Sequence, residues 1–154
     1  MRIGQGFDIH PFTDSPDRRL ILAGVELPGP GLAGHSDADV VAHAVADALL
    51  GAAGLGDIGT HFPDSDPSLA GVDSMDLLSR VVAQVTTSYR VANVDVTVIL
   101  ETPKVAPYRL RMEERLSQVL DAPASVKAKR GEGLGAIGRA EGVACLAVAL
   151  LVVR

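Results

Sequence analysis

Hydrophobic residues recur along the chain at two spacings, and these predict both helices and strands. Helical spacing predicts three helices, over residues 36–50, 73–89 and 107–120. Alternating or continuous apolar runs predict strands, over residues 1–9, 93–100, 125–129 and 142–153, with a turn near Gly24 inside a further run over 20–27. Several strands follow one another without a helix between them. We therefore predict an α+β fold with a mixed or antiparallel sheet covered on one face by helices.

The other face of this sheet also needs a cover, because the last predicted strand is apolar on both sides. The stretch Gly142–Val153 has no charged residue and is too short to cross a bilayer. We expect it to be a buried strand whose outer face packs against other subunits of an oligomer. No repeat, low-complexity tract or linker interrupts residues 1–154, so we expect one domain.

Composition and charge exclude some classes of function. The formal net charge of −5 and the 3% aromatic content argue against general nucleic-acid binding and against base stacking. Residues 1–103 hold most of the acidic groups and residues 104–154 are basic overall. A single cysteine and a start without a basic segment followed by an apolar run fit a cytoplasmic protein.

The segment Asp8-Ile9-His10 and the helical residue His43 form the first candidate site. Residues 8 and 10 of an extended strand point to the same side, which brings a carboxylate and an imidazole together. With His43 as a third ligand, this set suits Zn²⁺ with an open position for a substrate oxygen. The alternative is that His43 is an ordinary core or surface histidine.

The helix over residues 36–50 carries Asp39, His43 and Asp47 on one face. We expect the two carboxylates to orient the imidazole or to contact substrate hydroxyls, the alternative being a solvated polar stripe. Ser36 is the expected N-cap, with Asp39 in a capping-box position. The free N–H groups near Ser36 and Asp37 are a usual place for a phosphate.

Two glycine-rich segments add polar groups. The first joins His35-Ser36-Asp37 to Gly56-Asp57-Ile58-Gly59 and to His61-Phe62-Pro63-Asp64, whose carboxylates suit hydroxyls. In the second, over residues 127–142, Lys129, Arg130 and Arg139 suit phosphates and Glu132 suits a hard cation such as Mg²⁺. Turn chemistry with solvated charges is the alternative for each. Together with the first site they describe equipment for phosphoryl transfer.

The whole chain resembles the 2-C-methyl-D-erythritol 2,4-cyclodiphosphate synthase family. The resemblance rests on four stretches: RIGQGFDIHPF, HSDADVVAHAVADALLGAAGLGDIGTHFPDSDP, NVDVTVILETPK and GRAEGVAC. It implies a metal-dependent phosphorus–oxygen lyase of the non-mevalonate isoprenoid pathway, a homotrimer with active sites between subunits. The implied substrate is 4-diphosphocytidyl-2-C-methyl-D-erythritol 2-phosphate, whose 2-phosphate attacks the β-phosphorus and expels CMP.

The resemblance also implies roles for individual residues. Asp8, His10 and His43 are implied to bind Zn²⁺, and Glu132 a second divalent ion, Mg²⁺ or Mn²⁺. The implied substrate contacts are made by the methylerythritol-binding residues His35, Ser36, Asp57 and Gly59, by Asp64 of a mobile-loop motif, by the nucleotide-pocket residues Pro103, Lys104 and Arg130, and by Arg139 facing a central cavity of the trimer.

Two departures from the family pattern keep alternatives open. Lys129-Arg130-Gly131 stand where the family has a threonine-rich run, which favours a divergent paralogue acting on another phosphate ester. Ala136 stands where a larger apolar residue lines the central cavity. The third hypothesis is a non-catalytic trimer that binds a prenyl diphosphate. The intact Asp8, His10 and His43 favour the synthase over it.

Overall fold

A four-stranded sheet forms the centre of the computed structural model, which describes residues 1–154. Its strands are β1 (Arg2–Pro11), β4 (Tyr89–Ile99), β5 (Ala124–Lys129) and β6 (Gly142–Val153). The order is β1-β6-β4-β5, with β6 antiparallel to both neighbours and β4 parallel to β5. A separate hairpin joins β2 (Leu20–Leu22) to β3 (Val25–Leu27) through a turn at Ala23-Gly24. The predicted α+β class and mixed sheet are confirmed.

Helices cover one face of the sheet, as predicted. They are α1 (Val40–Ala53), α2 (Ile58–His61), α3 (Ser74–Val85), α4 (Arg109–Leu120) and α5 (Gly135–Gly138), with a 3-10 turn at Pro67–Leu69. Helix α1 packs on β1 and β6, α4 packs on β5, and α3 packs against α1. Their apolar faces and the inner face of the sheet form one continuous core. None of the helices is long and apolar enough to cross a membrane.

Two glycines of β1 set how closely α1 approaches the sheet. A Cβ at Gly4 would lie 2.0 Å from the carbonyl oxygen of Ala48, and one at Gly6 would lie 1.8 Å from that of Ala44. The helix backbone therefore rests directly on the strand backbone. Asp8 and His10 follow on the same face of β1, so this close packing brings them within reach of His43 on α1.

The opposite face of the sheet carries exposed apolar side chains. Ile3, Phe7 and Ile9 of β1 are 73%, 51% and 50% exposed, and Val148 of β6 is 44% exposed. Cross-strand pairing places Phe7 beside Leu146, so these residues form one patch. We call this patch the outer sheet face. Its size and apolar character are typical of an interaction surface.

The ends of several predicted elements are corrected. Helix α1 begins at Val40 and its N-cap is Asp39, which accepts from the backbone N–H groups of Val41 and Ala42. The prediction of Ser36 as the cap is therefore wrong. Helix α3 ends at Val85, because the hydroxyls of Thr86 and Thr87 bond to preceding carbonyl groups, and Tyr89 already pairs with Val153 in the sheet.

Candidate metal centre and flanking cavities

Asp8, His10 and His43 meet at the wall of a cavity of about 250 Å³. Asp8 Oδ2 lies 3.1 Å from His10 Nε2 and 2.9 Å from His43 Nδ1. The three potential ligand atoms all lie within 4.8 Å of one another. The sequence predicted that these three side chains lie at one site, and the structure confirms that they converge.

Each imidazole turns one nitrogen to Asp8 and has a partner for the other. His10 Nδ1 lies 2.7 Å from the carbonyl oxygen of Ala33, which only accepts, so this nitrogen carries the proton. His43 Nε2 lies 2.9 Å from Ser74 Oγ and 3.1 Å from Ser36 Oγ. His10 Nε2 and His43 Nδ1 are thereby directed into the triad.

The electrostatics of the triad favour an ionised carboxylate. Partial burial alone would raise the pKa of Asp8, but the hydrogen bonds from His10 and His43 hold this pKa well below its usual range. The hydrogen bond to Asp8 raises the pKa of His10, against the opposing effect of burial. Without a cation, the negative oxygen of Asp8 therefore faces the two imidazoles.

The donor set fits a divalent metal ion. One carboxylate and two imidazoles offer three ligands, each imidazole has a fixed outer hydrogen bond, and the cavity leaves room for a further ligand. Such a mixed oxygen and nitrogen set with an open position is typical of catalytic zinc sites.

The other two polar residues of this face, Asp39 at the N-cap of α1 and Asp47 within α1, have structural roles, and the prediction that they orient His43 is wrong. Asp39 is fully buried and accepts hydrogen bonds from Ala23 and Gly24 as well as from its own helix. Asp47 Oδ1 accepts from the N–H of Ile58 at 2.7 Å, which joins α1 to α2. The predicted phosphate place at this helix start is also wrong, because Asp39 occupies its N–H groups.

Sequence reasoning missed Ser74, which touches His43 in place of these carboxylates. Ser74 is the first residue of α3 and is 1% exposed. Asp73 already supplies the N-cap of α3, so the sequence gives no sign that the serine after it contacts His43. The contact arises only because α3 packs against α1.

The cavity of the triad collects several other predicted residues. His35, Ser36, Gly59 and Asp64 all line it. His35 Nε2 donates to the carbonyl oxygen of Asp66 at 2.9 Å, which holds the ring at the cavity. Asp57 does not line the cavity; it caps α2 by accepting from the N–H and hydroxyl of Thr60.

A second cavity of about 250 Å³ lies between the ends of β4 and β5. Pro103, Lys104 and Arg130 line it together with Glu101, which sequence reasoning did not single out. Glu101 Oε1 accepts from Arg130 Nη2 at 2.7 Å, and Oε2 accepts from the N–H of Gly131 at 3.0 Å. Glu101 thus fixes the start of the segment that replaces the threonine-rich run.

The remaining predicted residues lie outside both cavities. Glu132 is exposed in the turn after β5, with a φ of 53°. Arg139 is exposed and pairs with Glu141 at 2.5 Å. Within one chain, the predicted site residues therefore fall into separate groups.

The two cavities nevertheless lie at the same end of the sheet. The pairs His10↔Val143 and Ile99↔Ala144 place the ends of β1 and β4 on either side of the first residues of β6. Since β1 and β4 are separated by one strand, the two cavities are about 10 Å apart or more.

Comparison with known proteins identifies what this arrangement belongs to. The chain is 53% identical over 159 residues to a 2-C-methyl-D-erythritol 2,4-cyclodiphosphate synthase of Symbiobacterium thermophilum, covering 100% of both chains. The bifunctional IspDF of Campylobacter jejuni has a TM-score of 0.92 at 41% identity, over 97% of this chain and 42% of that one. The CDP complex of IspF from Plasmodium falciparum has a TM-score of 0.86 at 35% identity, over 99% and 96%.

Residues 1–152 match the YgbB family as a whole. Sequence and structure agree over nearly the full length, and the matched residues include both cavities. The chain therefore belongs to the YgbB family, with cyclodiphosphate synthases as its relatives.

Proposed function

We propose that residues 1–154 form one cyclodiphosphate synthase domain, which converts 4-diphosphocytidyl-2-C-methyl-D-erythritol 2-phosphate to 2-C-methyl-D-erythritol 2,4-cyclodiphosphate and CMP. The observation that carries the proposal is the convergence of Asp8, His10 and His43 at a cavity. The full-length identity to a protein named for this activity supports it. The reaction belongs to the non-mevalonate route to isoprenoids, and we propose a cytoplasmic location.

The chemistry needs no nucleophile from the protein. An oxygen of the 2-phosphate forms a bond to the β-phosphorus. The bond between the β-phosphorus and the oxygen that bridges the α- and β-phosphates breaks, and CMP leaves with that oxygen. The protein must fold the substrate so that its two ends meet, and must stabilise the charge on the phosphates. Asp8, His10 and His43 would hold Zn²⁺, and Glu132 a second ion, Mg²⁺ or Mn²⁺; bound there, the ions supply Lewis-acid stabilisation of the phosphate oxygens.

The remaining site residues are proposed to bind and orient the substrate. The fixed ring of His35 and the buried hydroxyl of Ser36 stand at the cavity wall, which suits the methylerythritol hydroxyls. The proposed contacts are His35, Ser36, Asp57, Gly59 and Asp64 for the methylerythritol phosphate, Pro103, Lys104 and Arg130 for the cytidine diphosphate, and Arg139 for a central cavity of the assembly.

We propose that the active protein is a homotrimer with its sites between subunits. Two observations support an assembly of this kind. The outer sheet face is exposed and apolar, and includes Phe7 and Val148. The metal centre and the second cavity lie on different strands of one chain, and in the proposed assembly a neighbouring copy would place its second cavity beside this chain's metal centre.

A divergent paralogue acting on another phosphate ester is the second candidate. It is favoured by one observation: Arg130 lines the second cavity and is held by Glu101, where the family has hydroxyl side chains. A guanidinium there adds charge to a pocket for nucleotide phosphates and changes its shape.

Phosphorus NMR of the protein with Zn²⁺, Mg²⁺ and the cytidine substrate tests the proposal. We expect signals of CMP and of a cyclic diphosphate. Asp8→Asn should abolish turnover, whereas Asp121→Asn, an exposed acid at the end of α4, should leave it unchanged. A folded, zinc-loaded protein that forms no product would contradict the synthase function and leave the paralogue as the better hypothesis.

A further inference from the structure

The hydrogen bonds behind His43 continue past Ser74 to a carboxylate. Ser74 Oγ lies 2.9 Å from His43 Nε2 and 2.5 Å from Asp37 Oδ1. The three groups thus form a line from the metal centre to the loop before α1. Ser74 is 1% exposed and Ser36, beside it, is 6% exposed, so water does not compete for these bonds.

The direction of the line follows from the chemistry of its end groups. An ionised carboxylate only accepts, so the hydroxyl hydrogen of Ser74 goes to Asp37. Ser74 Oγ must then accept from its other neighbours, which are His43 Nε2 and the Ser36 hydroxyl at 3.0 Å. His43 therefore donates a hydrogen bond from Nε2. When an ion is held in the triad, the unprotonated Nδ1 faces that ion.

Backbone contacts keep the line in place. The N–H of Asp37 donates to the carbonyl oxygen of Val72 at 3.1 Å, and the N–H of Gly71 donates to that of His35 at 2.8 Å. The loop that carries Asp37 and the segment before α3 are therefore tied together independently of the side chains. Loss of one hydroxyl can weaken the line without separating these segments.

We propose that Asp37 and Ser74 are positioning residues for His43: Ser74 Oγ accepts the hydrogen bond from Nε2–H, Asp37 accepts from the Ser74 hydroxyl, and together they fix the ring with Nδ1 toward the metal. The inference rests on one part of the proposed function, which is that Asp8, His10 and His43 bind a metal ion. Carboxylates and hydroxyls behind a ligating imidazole fix its tautomer and raise its basicity, and their loss typically costs about 10- to 100-fold in metal affinity.

The test measures zinc affinity by competition with a chromophoric chelator, and the imidazole N–H protons of the zinc-loaded protein by NMR. We expect a downfield, slowly exchanging His43 Nε2–H signal in the wild-type protein. Ser74→Ala leaves Nε2 only the longer contact to Ser36 Oγ, so this variant and Asp37→Asn should show a weaker, faster-exchanging signal and bind zinc about 10- to 100-fold more weakly. Ser74→Thr, which keeps the hydroxyl, should retain both properties, as should Ser79→Ala on the exposed side of α3.

Each outcome decides the proposal. Unchanged affinity and an unchanged Nε2–H signal in Ser74→Ala and Asp37→Asn would overturn it, even if both variants unfold at lower temperature. A wild-type signal that exchanges rapidly with water would overturn it without any variant, so a Ser74→Ala protein that fails to fold leaves the question answerable. Zinc binding with the expected signal but no synthase turnover would contradict the proposed function alone.

Discussion

At the scale of single residues, Asp39 shows how a polar side chain near a site can serve the fold alone. Its two oxygens accept from four backbone N–H groups, two in α1 and two in the β2–β3 turn. The residue thus joins the start of α1 to the hairpin. Its complete burial, and then the negative charge of Asp37, raise the pKa of Asp39 to about 6.

This raised pKa predicts a pH-dependent contribution to stability. The folded protein binds the proton more tightly than the unfolded chain, so the stabilisation is complete below the unfolded pKa and is lost as the pH rises through about 6. We expect the unfolding free energy of the metal-free wild-type protein, relative to Asp39→Asn, to fall by about 1 kcal/mol between pH 5 and 7.5. Urea unfolding at several pH values measures it.

The same series needs a control for carboxylates in general. Asp121→Asn changes an exposed acid with a positive φ that asparagine tolerates. The difference in unfolding free energy between this variant and the wild-type protein should stay constant across this pH range. If the difference in unfolding free energy between Asp39→Asn and the wild-type protein is equally constant with pH, the burial of Asp39 does not raise its pKa.

At the scale of elements, the contact between β1 and α1 depends on the absence of side chains. Gly4 and Gly6 of the strand face Ala44 and Ala48 of the helix, and the metal ligands continue the same faces. A small shift of α1 away from β1 would move His43 away from Asp8. The metal centre therefore depends on packing several residues away from its ligands.

We predict opposite effects for two glycine-to-alanine changes in this pair of elements. Gly6→Ala places a Cβ 1.8 Å from the Ala44 carbonyl oxygen, a backbone atom that cannot move aside. We expect a loss of about 3 kcal/mol in unfolding free energy, with weaker zinc binding. Gly51→Ala, in α1 with nothing nearer than 3.9 Å, should gain about 0.5–1 kcal/mol.

Chemical unfolding and zinc titration of the two variants separate the explanations. Equal stability of Gly6→Ala and wild-type protein would show that α1 can lift from β1 at little cost. The close approach would then not be what positions His43.

At the scale of the whole molecule, the proposed assembly would connect the outer sheet face to activity. The two cavities lie on different strands of one chain, and the apolar patch around Val148 stands uncovered by any element of that chain. The proposed assembly would explain both facts. Neighbouring copies would cover the patch, and they would place one chain's metal centre next to another chain's second cavity.

We predict that Val148→Glu yields a monomer, because it places a charge in the middle of this patch. Light scattering after gel filtration should show the lower mass. Synthase turnover should fall on the order of 100-fold or more, since the substrate would lose the contacts proposed for the neighbouring chain's second cavity, while zinc binding persists. Leu110→Glu, on α4 and 63% exposed against 44% for Val148, should leave both assembly and turnover unchanged. A Val148→Glu monomer with full activity would contradict the interfacial site.

Local patterns in the sequence predicted most elements and the metal ligands. A continuous apolar run without charged residues predicted β6 over Gly142–Val153 with its correct bounds, and the two-residue spacing of Asp8 and His10 placed them on one face. These features depend only on residues that are close together in the chain, so the periodicity of the sequence predicts them. His43 on the predicted helix was the proposed third ligand, with an ordinary core or surface histidine as the alternative, and the family resemblance favoured the ligand.

Only the tertiary structure decided which polar residues serve the site. Asp39 and Asp47 share a helix face with His43, yet they bond to the β2–β3 turn and to α2, whereas the imidazole meets Ser74 from another helix. Which partner a side chain meets across the core depends on how α1, α3 and the sheet pack. That packing is set by contacts between residues far apart in the chain, such as Gly6 with Ala44, and helical spacing alone does not contain them.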